Sequence, residues 1–226
     1  MNDKQLAARH AAAKVRDGMV VGLGTGSTAN HFIDELARRR AEEGLDVKAV
    51  SSSTASAIKA KALGLPLLGL EHIDRVDLYV DGADEVAPGL ALLKGRGFDL
   101  VREKLLAAAA AEFWVLADRG KLVGRVGERY PVPVEVAPFA WALALRSLEK
   151  LGGRGGLRPT ADGGGFVVSA HGSLVLDVAF GPEWDARALD AALNAVPGVV
   201  EHGIFIGLAS LAVVAADGRV EEMGAG

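Results

Sequence analysis

Gly22-Leu23-Gly24-Thr25-Gly26-Ser27-Thr28 places three glycines and three hydroxyl side chains in seven positions, between an apolar run and a helical pattern. Glycine permits positive φ and close backbone approach, and a helix start offers unpaired N–H groups and the positive end of its dipole. With the hydroxyls of Ser27 and Thr28 added, the turn suits a phosphate or another anion. The plainer reading is a tight turn in which Ser27 or Thr28 caps the helix. No lysine follows the glycines, so this is not a nucleotide-triphosphate loop. The spacing is G-x-G-x-G, and Ser51-Ser52-Ser53 stands where a dinucleotide site needs an acidic residue. A small phosphorylated metabolite fits better than a nicotinamide cofactor.

Asp81-Gly82-Ala83-Asp84-Glu85 follows the apolar Leu78-Tyr79-Val80, at the strand end where open α/β sheets place ligands. Three carboxylates in five positions repel one another unless a cation or hydroxyl groups meet them. They could bind a metal or accept hydrogen bonds from sugar hydroxyls, or form a solvated acidic turn. Metal is the weaker option, because His10, His31, His72, His171 and His202 are scattered and none pairs with these acids. Lys94-Gly95-Arg96-Gly97 is a second glycine-rich turn before a helix, now with two cations, and suits an anion or oxyanion. On that helix Leu100, Val101, Leu105 and Ala108 fit an inward stripe. Glu103, between Arg102 and Lys104, falls off the stripe, so periodicity alone makes it a solvated surface residue.

The elements that must position these residues alternate. A helix from Asp3, as cap, to about Arg16 precedes a strand at Met19–Val21. A helix then runs to Gly44, followed by a strand (Val47–Val50), a helix (Ala55–Leu63) and a strand (Leu67–Leu70). Leu78–Val80, a helix from Phe98 to Ala111 and a strand at Phe113–Ala117 complete the first half. Such alternation predicts an α/β fold, a mostly parallel sheet with helices on both faces. Near Tyr130-Pro131-Val132-Pro133 the pattern changes. Val134–Val136, a helix at Phe139–Leu151, strands at 157–159, 166–169 and 174–179, a helix at Trp184–Ala195 and Val199–Glu201 read as a split βαβ unit of α+β type. Leu211–Ala215 and a hairpin at Asp217-Gly218 could return to the first sheet. The expected domains are 1–128 with 204–226, and an inserted unit over 129–203.

The chain has 226 residues, with 25 basic against 29 acidic side chains and a formal charge of −4. No basic field favours nucleic acid as a partner. There is no cysteine, which excludes disulfides, thiolate nucleophiles and Cys-ligated metal. No apolar run reaches the ~18–20 residues of a membrane span, and the first residues lack a signal-peptide core. The expectation is a cytoplasmic protein with neither membrane nor nucleic acid as partner.

Taken in order, Gly24–Thr28, Asp81–Glu85, Lys94-Gly95-x-Gly97 and Arg102-Glu103-Lys104 resemble ribose-5-phosphate isomerase of the A type. Val50-Ser51-Ser52-Ser53, Pro133-Val134-Glu135-Val136, Leu151-Gly152-Gly153-Arg154 and Asn194–Val200 agree, so the likeness spans nearly the whole chain. Arg96 departs from the glycine expected there. The resemblance implies a Rossmann-like domain with an inserted ferredoxin-like unit, a homodimer or homotetramer, and a sugar-phosphate substrate. It implies aldose–ketose isomerisation with no cofactor and no metal. Glu103 is then the base, with Asp81, Asp84 and Lys94 around the reacting end of the sugar. Thr25, Gly26, Ser27, Thr28, Gly82, Ala83, Gly95, Arg96, Gly97 and Lys121 contact substrate, and Lys4 helps hold phosphate. Such a base works best partly buried, with Arg102 and Lys104 pointing away. A sugar-phosphate-sensing module is the other class. It would lack part of the acid–base set, which is complete here, or carry a basic helix-turn-helix, which is not evident.

Overall fold

The computed structural model describes residues 2–224. Residues 1, 225 and 226, assigned by sequence to the first domain, lie outside the described residues. The chain runs through α1 (Asp3–Ala12), β1 (Val20–Leu23), α2 (Ser27–Glu43), β2 (Lys48–Ser51), α3 (Thr54–Ala62), β3 (Val76–Gly82), β4 (Glu85–Ala87) and β5 (Ala91–Leu93). It continues through α4 (Leu100–Ala109), β6 (Ala110–Asp118), β7 (Val132–Val136), α5 (Trp141–Lys150), β8 (Arg154–Leu157) and β9 (Leu174–Ala179). Finally come α6 (Ala186–Asn194), β10 (Val199–His202), β11 (Ile204–Phe205), β12 (Leu211–Ala216) and β13 (Arg219–Gly224).

These elements form two compact units. The first holds residues up to Ala83, Arg102–Leu122 and those from Gly207 on; the second holds Asp84–Val101 and Val123–Ile206. The second is therefore larger than the 129–203 expected from sequence. The added β4–β5 hairpin has strands of three residues each, too short to show a period, and pairs with β11 in its own small sheet.

In the first unit the sheet order is β13-β12-β6-β3-β1-β2. All neighbours are parallel except β12 and β13. Phe32, Ile33, Leu36 and Ala37, spaced for one helix face, bury that face of α2 in a core with Leu23, Val80, Leu116 and Val213. Gly44 ends α2 at φ 75°. The cap of α1 is Asn2, not Asp3: its side chain accepts from the Gln5 backbone N–H and the Gln5 side chain returns the bond. That helix also stops at Ala12, short of Arg16. Leu67–Leu70 is not a strand. One parallel bridge pairs Leu67 with Ala49, and Leu70–His72 then form a 3₁₀ turn. Because β1, β2, β3 and β6 are parallel, their carboxyl ends share one edge of the sheet. The Gly24–Thr28 turn, Ser51–Ser53, Asp81 and the segment carrying Lys121 all fall on it.

The second unit has a four-stranded antiparallel sheet in the order β10-β7-β9-β8, built from the chain order β7-α5-β8-β9-α6-β10. This is the split βαβ pattern read from sequence. Ala144 and Leu148 of α5 and Leu189 and Leu193 of α6 pack with Val134, Val136, Leu176 and Val178. The expected strands at 157–159 and 166–169 reduce to β8, which starts earlier, and to isolated bridges Pro159–Phe166 and Val168–Leu174.

Glu85 is fully buried in this unit, and its carboxylate accepts backbone N–H groups from Gly127 (2.6 Å), Arg129 (2.7 Å), Tyr130 (3.0 Å) and Glu128 (3.3 Å). The third acid of the acidic loop is thus an anchor for the 127–130 segment. Glu85→Ala strands those donors and should cost about 3 kcal/mol or more in urea unfolding, and a loss below about 1 kcal/mol would contradict the anchoring role.

Candidate active site

Asp81, near the end of β3, is 1% exposed. Its Oδ1 accepts N–H groups from Thr25 (3.0 Å) and Gly82 (2.7 Å), and its Oδ2 accepts the Tyr79 hydroxyl. The glycines before α2 serve three different ends. A Cβ on Gly22 would lie 2.7 Å from Cδ2 of Tyr79, and one on Gly24 would lie 2.2 Å from Cγ and Oδ1 of Asp81. Both glycines make room for neighbouring side chains. Gly26 alone takes a left-handed φ, 92°, as the cap residue of α2, with open space where a side chain would go. No side chain caps this helix, so neither Ser27 nor Thr28 plays that part, and the first N–H groups face the open turn. Lys4 Nζ donates to Ser27 Oγ at 2.9 Å, which brings the amino-terminal cation to the same turn.

The wall beside the turn is made of hydroxyls. Ser53 Oγ caps α3 and contacts Thr25 Oγ1 (3.1 Å) and Ser56 Oγ (3.0 Å), while Ser56 Oγ donates to the Gly24 carbonyl (2.7 Å). On α4, Glu103 is 3% exposed and shares the buried face with Leu100, Leu106 and Ala107. The stripe expected from sequence holds only in part: Leu100 is buried and Val101 half-buried, but Leu105 is 53% exposed and Ala108 is also exposed. The helix is apolar on nearly every side, so its pattern could not choose a face. Arg102 does not simply point away either; its guanidinium donates to the Ser51 carbonyl at 3.3 Å. Lys104 is half-buried, as is Lys121 in the 3₁₀ turn after β6.

In the second unit, Asp84 and Lys94 flank the same end of the β4–β5 hairpin, since Glu85 pairs with Leu93 and the Asp84 N–H donates to the Leu93 carbonyl (2.8 Å). Lys94 is 4% exposed; its N–H donates to Gly203 (2.8 Å) and its Nζ lies 5.7 Å from the Phe205 ring centroid. The turn after it is tightly wound, with Gly95 at φ 98° and Phe98 at φ 71°, a strained value for an aromatic residue. Arg96 is exposed and stacks on Tyr130 at 4.2 Å, so its side chain is committed to its own unit. Glu135, 1% exposed on β7, has its carboxyl raised by burial, opposed by Ser169, His171, Ser173 and the Val101 N–H. Among the described residues no three His, Asp or Glu side chains are grouped to hold a metal ion.

The family model for ribose 5-phosphate isomerase A (phosphoriboisomerase A) matches residues 48–219. The chain belongs to the ribose 5-phosphate isomerase A family. It is 46% identical over 221 residues to ribose-5-phosphate isomerase A of Synechococcus sp. (strain JA-3-3Ab), covering 97% of this chain and 96% of that one. It is 48% identical to that of Roseiflexus sp. (strain RS-1), covering 96% and 94%. The structure of the Methanocaldococcus jannaschii enzyme matches with a TM-score of 0.93 at 39% identity, over 98% of this chain and 97% of that one. A D-ribose-5-phosphate isomerase solved with phospho-erythronic acid matches with a TM-score of 0.95 at 36% identity, over 99% and 100%.

For a ribose 5-phosphate isomerase A chain, the structure gathers Lys4, Thr25, Ser27 and Asp81 by direct contacts in the first unit, and sets Asp84 beside Lys94 in the second. Sequence reasoning missed Tyr79, Ser53 and Ser56. The only signal for Tyr79 was a hydroxyl within the apolar run Leu78–Val80, two positions before Asp81 and so on the same face. Gly24→Ala should fold but displace the Asp81 carboxylate, lowering kcat by roughly two orders of magnitude in a coupled isomerase assay. Wild-type kcat would mean that the position of Asp81 does not matter.

Proposed function

We propose that this chain interconverts D-ribose 5-phosphate and D-ribulose 5-phosphate through an enediolate, with Glu103 as the base. The observation that carries this is the burial of Glu103, 3% exposed on the face of α4 that also buries Leu100, Leu106 and Ala107, where a glutamate has no packing reason to face inward. In the open-chain aldose, the carboxylate takes the C2 proton. The C2–H electron pair becomes the C1=C2 double bond, and the charge passes to O1. One proton then moves from O2 to O1, and Glu103 returns its proton to C1, which leaves a ketone at C2. A single mobile carboxyl group is sufficient.

Lys94 and the N–H groups of Gly95, Arg96 and Gly97 are assigned to the developing oxyanion; such donors are worth roughly 3–4 kcal/mol where measured. Asp81 moves a hydroxyl proton, in ring opening or between O1 and O2, and Asp84 orients hydroxyls, with Gly82 and Ala83 supplying backbone beside them. Thr25, Gly26, Ser27, Thr28 and Lys4 take the phosphate. That reading is supported by the uncapped start of α2 and the Lys4–Ser27 bond. Lys121 adds a cation at the same sheet edge. Phosphate binding fixes the reacting carbons, so its energy appears in kcat as well as KM. The route runs without metal or organic cofactor, within the non-oxidative pentose phosphate pathway.

The enzyme is assigned to the cytoplasm on the family reading; no helix among the described residues is long and apolar enough to cross a membrane. Self-association into a homodimer or homotetramer is supported by Phe139 and Leu143, 93% and 70% exposed beside and on α5. Light scattering should therefore give a mass at least twice that of the chain, and a monomer at micromolar concentration would oppose this.

Two substitutions test the chemistry. Glu103→Gln should keep the fold and the affinity for phospho-erythronic acid in calorimetry while losing at least about a thousandfold in kcat; near-normal turnover would remove Glu103 from the mechanism. Lys94→Ala should lower kcat more than it raises KM. A pure KM effect would make Lys94 a ground-state binder only.

A further inference from the structure

Tyr79 lies on β3 between Gly22 of β1 and Phe113 of β6. Its ring is fully buried and stacks on Phe113, with centroids 4.8 Å apart, while Gly22 leaves the space for its other edge. A phenylalanine would fill this space equally well, and a buried hydroxyl is costly unless it is bonded. The hydroxyl is bonded, to Oδ2 of Asp81.

We propose that Tyr79 is a positioning residue for the isomerisation, acting through Asp81 by holding the oxygen that the backbone N–H groups do not. The proposal rests on the isomerase reading above. The two N–H groups from Thr25 and Gly82 both converge on Oδ1. The terminal torsion of an aspartate is soft, so donors on both oxygens hold the carboxylate plane better than donors on one. The Tyr79 hydroxyl on Oδ2 helps set that plane, and with it the direction in which Asp81 offers or takes a proton.

The groups around the hydroxyl keep it a donor. Asp81 on the same strand, Glu103 on α4 and Ser52 after β2 face it, with apolar Phe113 and Gly22 on the flanks. Burial first, then the two carboxylates, hold the phenol well above its usual range, with Ser52 opposing. A phenol raised from its usual range is protonated, and so a donor, at neutral pH. Its raised pKa favours the folded state below the ordinary tyrosine range, and that contribution is lost as pH climbs above it.

Tyr79→Phe is the test, because it removes one oxygen and keeps the stacked ring. Its melting temperature should remain within a few degrees of wild type. Its kcat should fall about tenfold with KM changed less than about twofold, the size expected for one hydrogen bond to a charged group. In an Asp81→Asn background the same substitution should change the residual kcat by less than about twofold, because its effect passes through that carboxylate. Wild-type kcat in Tyr79→Phe, or an equal loss in both backgrounds, would overturn the proposal. A second measurement needs no substrate. In alkaline absorbance titration, the phenolate signal present in wild type and missing from Tyr79→Phe should appear only on unfolding. Its appearance in the folded protein near pH 10 would overturn the buried bond. Failure of the isomerase reading would show separately, as absence of wild-type turnover on ribose 5-phosphate.

Discussion

A carboxylate taken out of water costs on the order of several kcal/mol unless hydrogen-bond donors replace the solvent. In this chain Asp81, Glu85, Glu103 and Glu135 are each at most 3% exposed. Much of the local structure follows from that requirement. Asp81 draws two backbone N–H groups and a tyrosine hydroxyl, and the chain before α2 gives up a side chain at Gly24 so that the carboxylate can fit. Glu85 draws four N–H groups from the 127–130 segment and so ties a long connection to a strand of three residues. The two acids stand four positions apart yet do opposite work. One is bonded beside an open turn and assigned to the chemistry in the proposed reaction; the other is consumed by the fold.

What the sequence made legible rests on a different pattern. The alternation of strands and helices, the parallel sheet and the split βαβ unit follow from apolar periodicity, which is strong in α2, β9 and α6. Glycine spacing located the turn, but its meaning was only partly readable. Gly22 and Gly24 are set by side chains 57 and 57 positions away, at Tyr79 and Asp81, and no local pattern carries that information. Glu103 was invisible to periodicity because α4 offers two apolar faces, and tertiary packing chose the one that includes it. It was the resemblance to a known family, through Arg102-Glu103-Lys104, that singled it out. The β4–β5 hairpin escaped for a simpler reason: three residues cannot display a period.

The chemistry assigned to these residues matches how they are held. A base that must take a proton from carbon and return it to the next carbon benefits from exclusion of water, which would otherwise solvate the carboxylate and weaken it. In the proposed site, a phosphate at the uncapped start of α2 would contribute binding energy far from the reacting carbons, and that energy would restrict their motion. Asp81 accepts donors on both of its carboxylate oxygens, in keeping with a group whose direction matters more than its reach.

The most direct test follows hydrogen rather than rate. Ribose 5-phosphate incubated with the enzyme in deuterium oxide is followed by proton NMR at C2 of the remaining aldose and C1 of the ketose. Deuterium should enter both positions with the wild-type protein and enter neither at a measurable rate with Glu103→Gln. Isomerisation that proceeds with no solvent deuterium in either carbon, or exchange that continues undiminished without the Glu103 carboxylate, would contradict proton transfer by that residue.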